Sequence, residues 1–231
     1  MPNPTVQARF QPASDQSLLI YLGETITLEI HEQIVKLLRM MESNPIEGVR
    51  NLHPAYCSLL VQFDPFVLDH RSLEKTLRGY LDRLGDLPLP PWRRIDIPVC
   101  YGGEFGPDLS DVADLHGMTP AQVIELHSSA TYVVYFFGFT PGFAYLSGLP
   151  ESLETPRLAT PRRKVPQGGV GIAGKQAGVY PFATPGGWRL LGRTPEAMFQ
   201  PDRQHMSLLS IGDRVRFLPI SEEEFRARRA A

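Results

Sequence analysis

The densest group of residues placed for chemistry in this chain is basic. Between Glu154 and Glu196 there is no acidic residue, while Arg157, Arg162, Arg163, Lys164, Lys175, Arg189 and Arg193 all fall there. Arginine offers a rigid donor fork to a carboxylate or phosphate, so the run reads as a positive patch suited to a small anionic substrate. The other reading is a solvated face whose partners are acids from the amino-terminal part. Two single residues join the list. His127 falls at the C-terminal end of an expected helix, where the dipole would raise its pKa; it is either a structural cap or a base. Tyr145, in FTPGFAYLSG, carries its hydroxyl in a Gly/Pro-rich loop after an apolar strand, where it can face a cleft. No nucleophile elbow or paired-carboxylate site accompanies them. His31, His53, His70 and His205 have no metal-ligand spacing, so no metal is expected. On its own, the set is an incomplete enzyme.

One further string invites a chemical reading. GGVGIAGKQAG, residues 168 to 178, places Gly169, Gly174 and Lys175 at the spacing of a phosphate loop, with Gln176 where the hydroxyl should stand. Such a loop must open a helix whose amides receive the phosphates. Here Gly178, Pro181, Pro185, Gly186 and Gly187 follow and forbid one. The alternation instead fits a strand with one bare face. Either that face admits a ligand or another backbone closely, or the glycines serve only turns and barrel corners.

The elements that must position these residues fall into two sets. In the first, VQARFQ and SLLIYLG read as strands around the turn PASDQ. Ile26, Ile30, Ile34, Leu37, Leu38 and Met41 then keep one face of a helix apolar over Thr25 to Met41. Two strands around His53-Pro54 follow. Asp69 is placed to cap a second helix with Leu73, Leu77, Tyr80, Leu81 and Leu84 on its inner face. The order strand-strand-helix-strand-strand-helix predicts a two-layer α+β domain over residues 1–88. LPLPPWRR is an extended linker, and a second domain spans 92–231.

That second domain begins with the strand IDIPVCY and two short helices, the latter with Thr119 as cap and Pro120 at its first position. TYVVYFFGF is an apolar strand. From Gly138 to Gly192 there are eleven glycines and seven prolines, too many for long helices. Short strands at GVGIAG, GVYPFA, WRLLGRT, MSLLSIG and GDRVRFLPI remain, which predicts a β-barrel-like domain. EEEFRARR is a terminal helix.

Composition excludes some functions. The chain has 231 residues and a formal charge of -2, so neither a general nucleic-acid surface nor a membrane surface is expected. No long apolar run suggests a spanning helix, and MPNPTVQARF lacks a signal-peptide pattern. Cys57 and Cys100 sit in strand-like runs and read as reduced thiols of a cytoplasmic protein.

Several long strings together carry a resemblance. YGGEFGPDLSDVA, FFGFTPGFAYLSGLP, PRRKVPQGGVGIAGKQAGVYP, TPGGWRLLGRTP and GDRVRFLPI resemble the allophanate hydrolase subunit 1 family. That family also holds the B-type subunit of the bacterial ATP-dependent 5-oxoprolinase and a sporulation kinase inhibitor of bacilli. The resemblance implies a ferredoxin-like α+β domain followed by a cyclophilin-like β-barrel, similar to half of the carboxyltransferase region of urea carboxylase. It implies an ATP-using complex that opens 5-oxoproline to glutamate, with a carboxyltransferase-like partner subunit and a lactam-hydrolysing subunit. A kinase regulator and an allophanate or urea amidolyase-type subunit are the alternatives. On the 5-oxoprolinase reading His127 is an acid/base or substrate contact and Tyr145 a hydrogen-bond donor. Arg162, Arg163 and Lys164 contact the anion, and Gln167 and Gly168 line the same pocket. Relatives carry a serine where Gly169 stands and a threonine where Ala177 stands, which implies two hydroxyls fewer in this chain.

Overall fold

A tight hairpin opens the described chain. The computed structural model describes residues 8–89, 91–202 and 204–230, and the chain divides between Pro91 and Trp92 into two units. In the first, β1 (Arg9–Ser14) and β2 (Ser17–Tyr21) pair up to Ser14↔Ser17, so the turn narrows to Asp15 and Gln16. Val6 and Gln7 of the expected first strand lie outside the described residues. The Thr27 hydroxyl accepts from Ile30 N–H at 3.3 Å and starts α1 (Leu28–Ser43). This start corrects the expected apolar face at one position: Ile26 precedes the cap and is 51% exposed. After β3 (Val49–Pro54) and β4 (Ser58–Phe63), the Asp69 carboxylate caps α2 (His70–Leu81) by accepting from Ser72 N–H at 2.9 Å.

The sheet order is β1-β2-β4-β3, with every neighbour antiparallel. Leu18, Ile20, Leu59, Val61 and Phe63 alternate to one face and share a core with Ile34, Leu37, Leu73 and Leu77 of the helices. Each such side chain contributes roughly 1.5–3 kcal/mol by leaving water, which makes an α+β domain of two layers.

The second unit begins with β5 (Arg94–Tyr101), α3 (Leu109–Leu115) and α4 (Pro120–Ser129). Thr119 and Gln122 form a reciprocal capping box at the start of α4, with Pro120 at the first helical position. The strands that follow are β6 (Tyr132–Phe137), β7 (Ala144–Ser147), β8 (Arg162–Val165), β9 (Gly169–Ala173) and β10 (Gln176–Val179). Then come β11 (Thr184–Gly186), β12 (Arg189–Arg193), β13 (Arg214–Pro219) and the helix α5 (Glu222–Ala230).

Seven of these strands close into a barrel in the order β10-β7-β6-β13-β5-β12-β9, while β8 and β11 pair separately. Closure leaves the barrel no free edge. Its interior is filled by Ile97, Val99, Val134, Leu146, Val170, Ile172, Val179, Val215 and Phe217, with Val112 of α3 and Val123 of α4 joining them.

Two expected strands change. GVYPFA stops at Val179: the Tyr180 N–H still reaches Gly169 O, but the Gly169 N–H turns to Pro166 O and Pro181 has no N–H to continue a ladder. MSLLSIG forms only a bridge, Phe199↔Ser207, since its backbone bonds go to the loop at Met198 and Gln200. Among the described residues no helix is long and apolar enough to cross a membrane.

Candidate functional site

The β6–β7 hairpin sets the position of Tyr145. On β7, Ala144 and Leu146 point into the barrel and Tyr145 points outward, stacked on Phe136 at 4.5 Å between ring centroids. The loop between the strands, GFTPGF, is held by Phe143 N–H to Thr140 O (3.0 Å) and Gly138 N–H to Phe143 O (3.2 Å). At its tip Phe139 has φ of +66°, the one non-glycine described residue in the left-handed region, and its ring is 59% exposed. An aromatic side chain held there costs on the order of 1 kcal/mol or more.

The bare face of the glycine strands lies beside this hairpin, and its occupants are aromatic rings. Val170 and Ile172 of β9 face the barrel core, whereas Gly169 and Gly171 face outward. A Cβ on Gly178 would stand 3.0 Å from both Phe143 Cζ and Trp188 Cζ3. The smooth wall thus lets Phe143 and Trp188 approach the barrel closely, where they join Val165, Tyr180 and Leu190 in a second apolar cluster.

Between these rings is a cleft of about 220 Å³. Phe139, Phe143, Tyr145, Tyr180 and Trp188 form its walls, Pro161, Pro185, Gly186 and Gly187 its polypeptide edge, and Arg157 its charge. Burial raises the Tyr180 phenol, opposed by the Trp188 N–H and the Arg157 charge, so the hydroxyl stays neutral.

The other expected site residues lie outside the cleft lining. Arg162 is paired with Asp108 at 2.5 Å and also reaches Trp188 O at 3.5 Å. This pairing stands against its expected role as an anion contact, since a buried carboxylate already neutralises it. Arg163 and Lys164 are exposed on β8. Gln167 is exposed, and its carbonyl accepts from Arg193 Nε at 2.7 Å. Gly168 shapes a turn: its φ is +82°, its N–H donates to Tyr180 O at 2.7 Å, and a Cβ there would collide with Thr194 O. Lys175 pairs with Glu154 (3.2 Å) and Arg189 with Asp111 (3.5 Å), so the basic run is partly compensated, by acids of its own unit.

His127 is somewhere else entirely. It is fully buried in the barrel unit, stacked on Phe217 at 4.6 Å, with its Nδ1 2.8 Å from the Tyr101 hydroxyl. Nε2 has no hydrogen-bond partner among the described residues. A helix dipole would raise its pKa, but desolvation wins and pushes it down to about 3. A neutral imidazole with no exposed surface is not placed to meet a solute, against its expected role as an acid/base or substrate contact.

Two expected hydroxyl positions are also buried, one inside the barrel and one under the outer cluster. Ala177 is in the barrel core, and a Cβ on Gly169 would meet Val165 Cγ1 at 3.0 Å. The charged cleft residue, Arg157, is not singled out by sequence reasoning, and neither are Tyr180 and Trp188. The only signal of Arg157 there is membership of a run of seven basic residues.

Comparison with known proteins bears on the whole chain. The family model for the carboxyltransferase domain, subdomain C and D, matches residues 8–209. The chain is 39% identical to the B-type subunit of 5-oxoprolinase from Bacillus subtilis (strain 168), over 96% of this chain and 97% of that protein. It is 42% identical to the corresponding B-type subunit from Escherichia coli O157:H7, over 94% and 98%. The solved structure of TTHA0988 aligns at 36% identity and a TM-score of 0.79, covering 89% of this chain and 40% of that longer one. Both the domain match and the full-length relatives lead to one assignment: the chain belongs to the carboxyltransferase-domain subdomain C and D family, as a protein like the B-type subunits of 5-oxoprolinase.

Proposed function

We propose that this chain works as the B-type subunit of an ATP-dependent 5-oxoprolinase, opening 5-oxoproline to L-glutamate only when joined to its partners. The observation that carries this reading is the aromatic cleft with a single arginine, on a chain related to such subunits over its full length. The partners are a carboxyltransferase-like subunit and a lactam-hydrolysing subunit. The TTHA0988 chain holds a region like this one within a longer polypeptide, which fits a protein that acts beside further domains.

Opening a lactam requires that amide resonance be broken before water adds to the carbonyl carbon, and charge then develops on oxygen. The Tyr145 hydroxyl, at the cleft wall, is our candidate donor to that oxygen. Arg163 and Lys164, exposed on β8, are available to anionic groups brought by a partner. The residues here do not fit a triphosphate: the glycine-rich segment runs strand to strand, β9 into β10, and its Lys175 is engaged with Glu154. ATP is therefore assigned to the rest of the complex, and no step on this chain passes through it.

The fold names follow the same reading. Moving the first strand of the small domain to its end converts its element order to β-α-β-β-α-β, the ferredoxin-like order. The seven-stranded barrel is the part we assign as cyclophilin-like. The test of function is reconstitution: the complete complex releases ADP and glutamate in a 5-oxoproline-dependent way, and this chain alone releases neither. Turnover by the isolated chain, or silence of a complete complex, overturns the proposal.

A further inference from the structure

The cleft is chemically one-sided. Its walls are rings, its lining contains no carboxylate, and Arg157 is its one charged residue. Three other members of the basic run, Arg162, Lys175 and Arg189, already have carboxylate partners. Arg193 directs its Nε to Gln167 O and lies over the Phe225 ring. Among the described residues, Arg157 alone both lines the cleft and has no ion pair. A bidentate guanidinium without a partner, at the rim of an apolar hollow, is complementary to a small molecule with an apolar body and one carboxylate.

Size narrows the class. A volume of about 220 Å³ equals about seven waters at roughly 30 Å³ each, room inside the cleft for one small ring. Trp188 and Tyr180 are nearly buried and fixed by the cluster beneath them, so the cleft has a rigid apolar floor. Phe139 supplies an independent observation. Its ring is held over the cleft, 5.5 Å from Phe143 and 6.2 Å from Tyr180, by a backbone conformation that disfavours any side chain. Strain of this kind persists where the surrounding structure fixes a side chain against its preference, and such positions cluster at ligand clamps.

We infer that this cleft is a binding site for a small ring-shaped monocarboxylate, with Arg157 as the anchor of its carboxylate and the exposed Phe139 ring as the face for its ring, over a floor of the buried Trp188 and Tyr180. The inference deepens the 5-oxoprolinase reading and rests on it only in the choice of 5-oxoproline as the first probe. Arg157 is a specificity residue in this arrangement. It favours carboxylates over neutral rings because only they can pair with its guanidinium.

The test uses the full chain carrying Trp92→Phe, which leaves Trp188 as the only tryptophan. Its fluorescence is titrated with 5-oxoproline, cyclopentanecarboxylate and 2-pyrrolidinone, on the chain alone and on the assembled complex. Both carboxylates are expected to give a saturable change, with 2-pyrrolidinone at least about tenfold weaker. Arg157→Gln brings the carboxylates to the level of 2-pyrrolidinone and leaves 2-pyrrolidinone unchanged, while Arg157→Lys falls between. Equal binding by parent and Arg157→Gln, or no saturable signal in either preparation, overturns the inference. So does loss of partner association in Phe139→Ala without carboxylate binding, which would give the cleft to a partner side chain.

Turnover separates the two proposals. An active complex whose kcat/KM for 5-oxoproline is untouched by Arg157→Gln removes the site and keeps the function. Arg157-dependent carboxylate binding in a complex that never hydrolyses ATP with 5-oxoproline keeps the site and removes the function.

Discussion

Arg162 and Asp108 form an ion pair at 2.5 Å, and the second oxygen of the same carboxylate accepts from the Leu190 N–H at 2.6 Å. The Asp108 side chain is 4% exposed and that of Arg162 27%. One carboxylate thereby ties the start of α3 to β8 and to β12, and Trp188 lies just before β12 at the cleft wall.

Asp108→Ala leaves the Leu190 N–H without its side-chain acceptor and the guanidinium without its partner. Breaking a buried pair costs about 3–5 kcal/mol, but Arg162 can recover some water, so the expected loss is about 2–3 kcal/mol. Asp108→Asn keeps an acceptor for Leu190 and loses about half as much. Urea midpoints measure both. A loss below about 0.5 kcal/mol for the alanine variant would show the pair to be idle.

His127 gives the fold an acid sensitivity with a defined sign. Burial holds its folded pKa at about 3 against an ordinary value of 6.5, so the unfolded chain binds the proton first. The stability is complete above pH 6.5 and drains away as pH falls from about 6.5 towards about 3, on the order of 4 kcal/mol in all. His127→Gln removes that proton. Its unfolding free energy is expected to vary less with pH than the parent's by one proton between pH 6 and pH 4. In the assembled enzyme the same variant is expected to keep kcat at neutral pH, because the ring has no exposed surface. A kcat lowered about a hundredfold in a normally folded variant would restore the acid/base role.

Local signals make much of the fold legible, and long-range pairing hides most of the site. Asp69, Thr119 and Pro120 announce their helices because a cap is decided within four residues. The glycine strand is readable as bare on one face, but its covering rings come from Phe143 and Trp188, outside the strand in sequence. Arg157 cannot be told from its six basic neighbours by sequence. What distinguishes it is that Arg162, Lys175 and Arg189 find Asp108, Glu154 and Asp111, and those pairings are made by the fold. The helix dipole is legible at His127, while the stronger desolvation is not, because it comes from Tyr101, Tyr132 and Phe217 on three different strands.

Gly169 tests whether a missing hydroxyl alters the reaction. A Cβ there would meet Val165 Cγ1 at 3.0 Å and Pro166 O at 3.1 Å, and Leu190 Cδ2 at 3.5 Å. The added group faces apolar side chains beneath the outer cluster, so Gly169→Ser is expected to cost up to about 1 kcal/mol and to leave kcat/KM unchanged. A several-fold change in kcat/KM at unchanged stability would place the hydroxyl in contact with substrate after all.

Phe139 separates strain from function. At φ of +66°, alanine keeps the unfavourable backbone contact and glycine relieves it, so Phe139→Gly is expected to be about 1 kcal/mol more stable than Phe139→Ala. This reverses the order that the two residues show in ordinary helices and strands. Both variants lose the same ring from the cleft mouth, and both are expected to lower kcat/KM by about the same factor, several-fold or more. The prediction needs the two readings together. If glycine is the less stable variant, the backbone is not strained in solution. If both variants turn over like the parent, the strain serves something other than the cleft.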